Sequence, residues 1–364
     1  MRTGLPHRAE FSLRRDRLLP LLQEARADAI VITALPNIRY LSGFTGSNAA
    51  LLMTGDRTLL FTDPRYQIQA SAESDCEVKI AKGPLTKELL KWTRRLRVKS
   101  LAFEQNRISF EDFEHLKHGA KGIRLKALSG IVEKLRLIKS GAEIAAIKRS
   151  VQLSSAALEQ ALRHFRSSMT ERDLAAEIGY RMRRLGADRE AFETIVASGE
   201  RSALPHAHPS NHPIQPNRLL LIDMGATAAG YASDMTRTHA VGKPTVEARR
   251  MYRAVLESQL AAIDAVKPGV SCSSIDLAAR SVLRTHHLDN LFIHSTGHGL
   301  GLEIHEAPRL GRKERAKLKA GMAVTIEPGV YAEGLMGVRI EDTVVVTSTG
   351  CEVLTPTEKE LVVL

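Results

Sequence analysis

Apolar positions along this chain change period several times, and the changes outline two successive regions. In the first, Leu18, Leu19, Leu21 and Leu22 lie on a helical stripe, and the short run 29–33 (AIVIT) reads as a buried strand. Residues 35–66 predict a short helix, a Gly/Ser turn and a hairpin, with strands at 49–53 and 58–61 joined through Thr54, Gly55 and Asp56. Residues 87–96 predict another helix and 100–104 another strand. Helices alternating with strands in this way imply an α/β domain, assigned here to residues 1–135.

A boundary falls near residues 133–141, where Ser140 followed by Glu143 has the spacing of a capping box. The helix that it starts carries Ile144, Ile147, Val151, Leu158 and Leu162 on one face. A second helix, from Thr170 and Asp173 to Gly186, aligns Leu174, Ile178, Met182 and Leu185. Strands follow, then helices at roughly 244–266 and 273–286, then strands to the end, so residues 136–364 form a second, α+β domain.

At 43% apolar and 26% charged residues, the 364-residue chain has the composition of a soluble globular protein. No apolar run approaches the roughly 18 residues of a membrane span. The basic start, MRTGLPHRAEFSLRRDR, has no apolar core and does not read as a secretory signal. Cys76, Cys272 and Cys351 are far apart and form no CxxC pair, which suits a reducing, cytoplasmic location. The net charge of +11 is spread over solvated helix faces, and aromatics are sparse at 4%, so no specific nucleic-acid partner is expected.

Three strings carry the chemistry. In LLLIDMGATAAGYASDMTRT, Asp223 and Asp234 are symmetric about the point between Ala228 and Ala229, and a two-residue turn there would set them directly opposite, with Cβ atoms about 5 Å apart. Two facing carboxylates in an apolar hairpin call for a positive charge between them. In HSTGHGLGLEIHEAP, His294, His298 and His305 alternate with glycines that rule out an HExxH zinc helix and would let backbone approach a ligand. In TIEPGVY and VRIEDTVVV, Glu327 ends an apolar strand, and alternation along a single last strand places Arg339 and Glu341 on one face. Asp223, Asp234, His298, Glu327 and Glu341 make an oxygen-rich set, enough for two divalent cations and excessive for one zinc.

These strings, with the linker LRLIKSGAEIAAIKRS and, more loosely, YLSGFTGSNAALL and FTDPRY, resemble the aminopeptidase P and prolidase branch of the pita-bread metallopeptidases. The resemblance implies a creatinase-like α/β domain followed by a pita-bread catalytic domain. It makes Asp223 a ligand of one metal, Asp234 and Glu341 bridges between two, and His298 and Glu327 the rest of the second metal's shell. His206 and His305 match histidines on the substrate side, and His294 and Arg339 match supporting positions in substrate binding; His208 and His212 lie close to His206, whose ALPH context singles it out. Glu327 would also relay a proton.

The activity implied is hydrolysis of the Xaa-Pro bond at the N-terminus of peptides with proline in the second position, by attack of a metal-bridging hydroxide. A prolidase restricted to Xaa-Pro dipeptides is the alternative among enzymes, and a non-catalytic binding protein on the same fold the alternative from another class. Four carboxylates with one imidazole favour Mn²⁺, with Co²⁺ or Zn²⁺ as substitutes. The resemblance also implies a homodimer or larger homo-oligomer, with no membrane partner.

Overall fold

The computed structural model describes residues 8–364; the first residues of the basic N-terminal stretch lie outside the described range. Within it the chain divides into two compact units, which separate between Arg136 and Leu137.

The first unit is one mixed sheet with helices α1 (Arg8–Glu24), α2 (Leu35–Ser42), α3 (Gln67–Glu73), α4 (Leu85–Arg95), α5 (Phe110–Gly119) and α6 (Glu133–Arg136). Strands β1 (Ala29–Ile32), β2 (Ala49–Thr54), β3 (Thr58–Thr62), β4 (Glu77–Ile80), β5 (Ser100–Glu104) and β6 (Arg124–Leu128) lie in the order β4-β3-β2-β1-β5-β6. Central β1 is buried throughout, which is why its four residues are all apolar. Leu89, Leu90 and Leu116 from α4 and α5 pack on Leu52, Phe61 and Leu101 of the sheet.

The second unit opens with α7 (Gly141–Arg163) and α8 (Glu171–Arg184), both started by capping boxes: Ser140 with Glu143, and Thr170 with Asp173. β7 (Arg189–Glu190), β8 (Ile195–Ser198), β9 (Arg218–Met224), β10 (Ala226–Ala228), β11 (Tyr231–Ala232) and β12 (Met235–Val241) follow. Next come α9 (Val246–Asp264) and α10 (Cys272–Thr285), and then β13 (Gly297–Gly299), β14 (Glu306–Leu310), β15 (Ala323–Ile326), β16 (Gly329–Ala332), β17 (Met336–Arg339), β18 (Asp342–Val346) and β19 (Cys351–Val353). Leu158, Leu174 and Ile178 pack on Ile222 and Met235, while Val255 and Ile275 pack on Val324, Ile326 and Val344. Among the described residues no helix is long and apolar enough to cross a membrane.

Two long hairpins in this unit are each interrupted at mid-length. β9 and β12 pair in one sheet (Thr236↔Asp223), while β10 and β11 pair in another (Ala228↔Tyr231). The turn is Ala229-Gly230, with φ of 52° and 80°, not the pair Ala228-Ala229 expected from symmetry. A tight hairpin turn with both central residues left-handed favours glycine, and moving it by one residue spares a second alanine that conformation. Every pairing then shifts: Asp223 faces Thr236, and Asp234 is offset diagonally from it instead of standing opposite.

In the second hairpin β15 pairs with β18 (Ile326↔Asp342) and β16 with β17 (Gly329↔Arg339), so the expected single strand through Arg339 and Glu341 is broken at Ile340–Glu341. The same register carried across the gap sets Glu327 opposite Glu341. The break is invisible to alternation because the period of two runs straight through it.

Candidate metal centre

The interruptions are where carboxylates turn inward. Glu327 and Glu341 lie at the break of one hairpin, and Asp234 at the break of the other with Asp223 just before it. The backbone amides of the two glutamates are held by neighbouring segments: Glu327 N–H donates to Thr296 O, just before β13 (2.8 Å), and Glu341 N–H to Thr236 O of β12 (3.1 Å).

Asp234, His298 and Glu341 each offer a ligand atom, all within 4.8 Å of one another. His298 Nε2 lies 3.4 Å from Asp234 Oδ2 and 3.4 Å from Glu327 Oε1. His298 Nδ1 faces the Gly299 carbonyl at 3.0 Å and can only donate to it, which turns Nε2 toward the two carboxylates. Asp223 Oδ2 accepts from Arg339 Nη2 at 2.7 Å, while Asp223 Oδ1 and Glu341 Oε1 are buried without a hydrogen-bond partner among the described residues.

Burial, the Asp223 carboxylate and then Glu327 hold the Asp234 acid well above the usual carboxylate range. Burial and then Asp234 do the same to Glu341, and burial raises Glu327 although His298 and Arg339 oppose it. A buried acid cluster with two idle oxygens and an imidazole aimed into it lacks positive charge at its centre. The donors are carboxylate oxygens and one imidazole with no thiolate, so the residues fit divalent cations that prefer oxygen.

Arg339 organises one side. It donates from Nε to Thr236 Oγ1 (3.0 Å) and from Nη1 to Tyr331 Oη (2.7 Å), and Thr236 Oγ1 donates to Glu341 Oε2 (2.7 Å). Tyr331 Oη also meets His294 Nε2 at 2.9 Å, and since His294 Nδ1 must donate to the Ser295 carbonyl, the tyrosine hydroxyl donates to the ring. Burial, ahead of Arg339, lowers the His294 pKa to about 4, so this ring stays neutral. Burial likewise pushes Tyr331 up to about 12.

The cleft over these groups has a volume of about 670 Å³. His206, His208, His294, His298, His305 and Arg309 all line it, with Phe192 and Ile195 as apolar wall, whereas His212 is engaged with Gln215. His305 packs edge-on against His298 with ring centroids 4.5 Å apart, and burial followed by His298 lowers its pKa. His208 bonds Glu193 at the rim (2.9 Å).

The glycines of the second string serve the sheet, not a ligand. A Cβ on Gly297 would stand 1.9 Å from Thr325 O, and one on Gly299 would stand 2.2 Å from Ala307 O, so both residues let neighbouring strands close up.

Several contributors escaped the sequence reading. Tyr331 lies within EPGVY, but its link to Arg339 depends on the β16–β17 register. Asp276 of α10 accepts from Thr296 N and Oγ1 (3.2 and 2.9 Å) and pairs with Arg280, which donates to the carbonyls of Phe292 and His294. A helix-borne i,i+4 ion pair carries no signal that distinguishes this clamp from a surface pair.

Sequence models of two families match the chain: Metallopeptidase family M24 over residues 145–348, and the Creatinase/Prolidase N-terminal domain over 14–138. The chain is 37% identical to an Xaa-Pro dipeptidase of Pyrococcus furiosus, over 96% of this chain and 99% of that one. The structure of an Xaa-Pro dipeptidase from Bacillus anthracis superposes with a TM-score of 0.95 at 39% identity, covering 97% of this chain and all (100%) of that one. An X-Pro aminopeptidase from Thermotoga maritima superposes with a TM-score of 0.91 at 36% identity, covering 96% of this chain and 100% of that one.

Proposed function

Because the chain belongs to metallopeptidase family M24, we propose that it hydrolyses Xaa-Pro substrates at the cleft beside Asp234, His298 and Glu341, with dipeptides preferred over longer peptides. It is a metal-dependent hydrolase, and its fold is a creatinase-type N-terminal domain followed by a pita-bread domain. The observation that carries the reading is the buried acid cluster with its idle oxygens Asp223 Oδ1 and Glu341 Oε1.

Asp223, Asp234, His298, Glu327 and Glu341 would hold two divalent cations, Mn²⁺ by their oxygen-rich chemistry, with Co²⁺ or Zn²⁺ as substitutes. When bound, such ions bring a water to the nucleophilic hydroxide level near neutral pH and polarise the scissile carbonyl. The remaining work falls to the chain. Arg339 holds Asp223 in place, and neutral His294 takes the Tyr331 hydrogen bond that keeps Arg339 oriented. His305 and His206 face the cleft, where each can donate an N–H to the oxygen that becomes negative. Glu327, next to His298 at the cleft, can carry a proton toward the leaving proline nitrogen.

Two observations favour dipeptides over the longer substrates first expected. Relatives of nearly the same length are named Xaa-Pro dipeptidases. Arg309 also lines the cleft, opposite His298 in the β13–β14 ladder, and its guanidinium has no hydrogen-bond or ion-pair partner among the described residues. A dipeptide presents its terminal carboxylate one residue from the scissile bond, within the cleft; a tripeptide presents an amide there. Kinetics of metal-stripped protein refilled with Mn²⁺ test this on Xaa-Pro and Xaa-Pro-Xaa. A kcat/KM higher for the dipeptide by about tenfold, the order of one charged contact, is expected. Faster tripeptide hydrolysis would restore the aminopeptidase P reading.

A further inference from the structure

Another buried charge pair, Lys139 with Glu306, has one member, Glu306, on the wall of the cleft. Lys139, just before α7, and Glu306, the first residue of β14, meet at 3.1 Å across 167 residues of sequence, with side chains only 2% and 7% exposed. Glu306 directly follows His305 and closes the loop 300–305 by pairing with Gly299. Its two oxygens point in different directions. Oε1 accepts from Glu303 N (3.2 Å), inside the loop, and Oε2 accepts the Lys139 ammonium.

The carboxylate lies so close to the loop that a Cβ on Gly301 would be 2.7 Å from Oε1. Gly301 also donates to Glu303 O (3.0 Å), and its carbonyl accepts from Ala232 N (2.8 Å), so the carboxylate sits at the middle of a folded turn. Lys139 is itself fixed, its N–H donating to Gly321 O at 2.8 Å.

We propose that Lys139 and Glu306 are a positioning pair that sets the ring of His305 in the cleft. A buried ion pair is a poor source of stability compared with apolar side chains of the same volume, but it fixes direction. Here the direction it fixes is that of the peptide joining Glu306 to His305. The pair is neutral overall and so adds no net charge to the cleft. Its kinetic consequences rest on the proposed Xaa-Pro hydrolysis; its geometric consequence does not.

Lys139→Met keeps the stem and removes the charge, and Glu306→Gln keeps the shape and weakens the pair; either serves if the other fails to fold. On an Xaa-Pro dipeptide with Mn²⁺, kcat should fall about 10- to 100-fold, the scale of a small misplacement, with KM changed less than about threefold. In a His305→Ala background the same substitution should change kcat by less than about twofold, because the two act as one unit. Lys139→Arg should recover most of kcat. Independently of catalysis, the His305 Cε1–H NMR signal of the metal-free protein should shift in Lys139→Met while that of His239 stays in place. An unmoved His305 signal, or an equal loss of kcat with and without His305, overturns the pair. Wild-type protein inactive on every Xaa-Pro substrate overturns the proposed function, while the NMR measurement still decides the pair.

Discussion

The two interrupted hairpins solve the same problem with different means. Each must stop its ladder for a few residues so that carboxylates can turn toward a shared centre, and each leaves backbone groups that need partners. In the β9–β12 hairpin, helix α7 and the hairpin itself supply hydroxyls: Ala226 N–H donates to Ser154 Oγ of α7 (2.9 Å) and to Ser233 Oγ across the break (3.0 Å), and Ser150 Oγ of α7 donates to Ala226 O. In the β15–β18 hairpin, adjacent backbone supplies carbonyls, Thr296 O before β13 to Glu327 and Thr236 O of β12 to Glu341. Support for the carboxylates then crosses between hairpins. Arg339 of the second holds Asp223 of the first, and Thr236 of the first holds Glu341 of the second. Neither set of carboxylates is held by its own hairpin alone.

The largest effects should come from one acid in each hairpin. Asp234→Ala and Glu341→Ala are each expected to remove bound metal and to lower kcat/KM by more than about 10⁴-fold, since loss of either takes away a charge that both cations would share. Metal analysis that finds two ions in either variant would sink that assignment. Arg339→Met comes next. It leaves Asp223 buried without its cation, and about 3 kcal/mol of stability and about 10³ in kcat/KM should go with it. Denaturant midpoints and kinetics on one preparation measure both, and a loss of activity without loss of stability would contradict the cross-hairpin support.

The hairpins should also differ toward acid. His239 on β12 is 4% exposed, neither ring nitrogen has a hydrogen-bond partner among the described residues, and burial followed by Arg237 lowers its pKa to about 4. The folded state therefore binds its proton later than the unfolded chain, whose imidazole has the ordinary value near 6.5. Stability is full above about pH 6.5 and declines as pH falls toward 4, by about 2 kcal/mol between pH 7 and pH 5. His239→Phe should shrink that acid gap by the same amount in urea titrations of metal-free protein; an unchanged gap would assign the acid sensitivity elsewhere. His294 shifts in the same direction and leaves a remainder.

Residue types and periods gave access to the elements and little to their alignment. The helices from Gly141 and Glu171 were legible because capping boxes act over three residues. Glycine and proline around the acidic and histidine strings made those strings stand out for the same local reason. Register is not local. One residue's difference in the Ala229-Gly230 turn moved Asp234 from opposite Asp223 to diagonal, and the stop at Ile340–Glu341 left the period-two pattern untouched. The links of Arg339 to Asp223 and of Arg237 to Asp342 join residues 116 and 105 positions apart, and no spacing rule reaches that far.

The smallest expected effects separate the two kinds of support most cleanly. Thr236→Val removes the hydroxyl between Arg339 and Glu341 and keeps the shape, so metal affinity should fall about 10- to 100-fold, the usual consequence of losing a partner behind a ligand. Ser154→Ala removes a hydroxyl that touches no carboxylate and instead serves Ala226 N–H, Ser233 Oγ and the Ser150 carbonyl, so about 1–2 kcal/mol of stability should be lost while metal affinity stays within about threefold. Calorimetric Mn²⁺ titration and urea midpoints on the two variants give four numbers. If Ser154→Ala weakens metal binding as much as Thr236→Val does, the break in the first hairpin is not merely a backbone device, and α7 must be counted as part of what shapes the acid cluster.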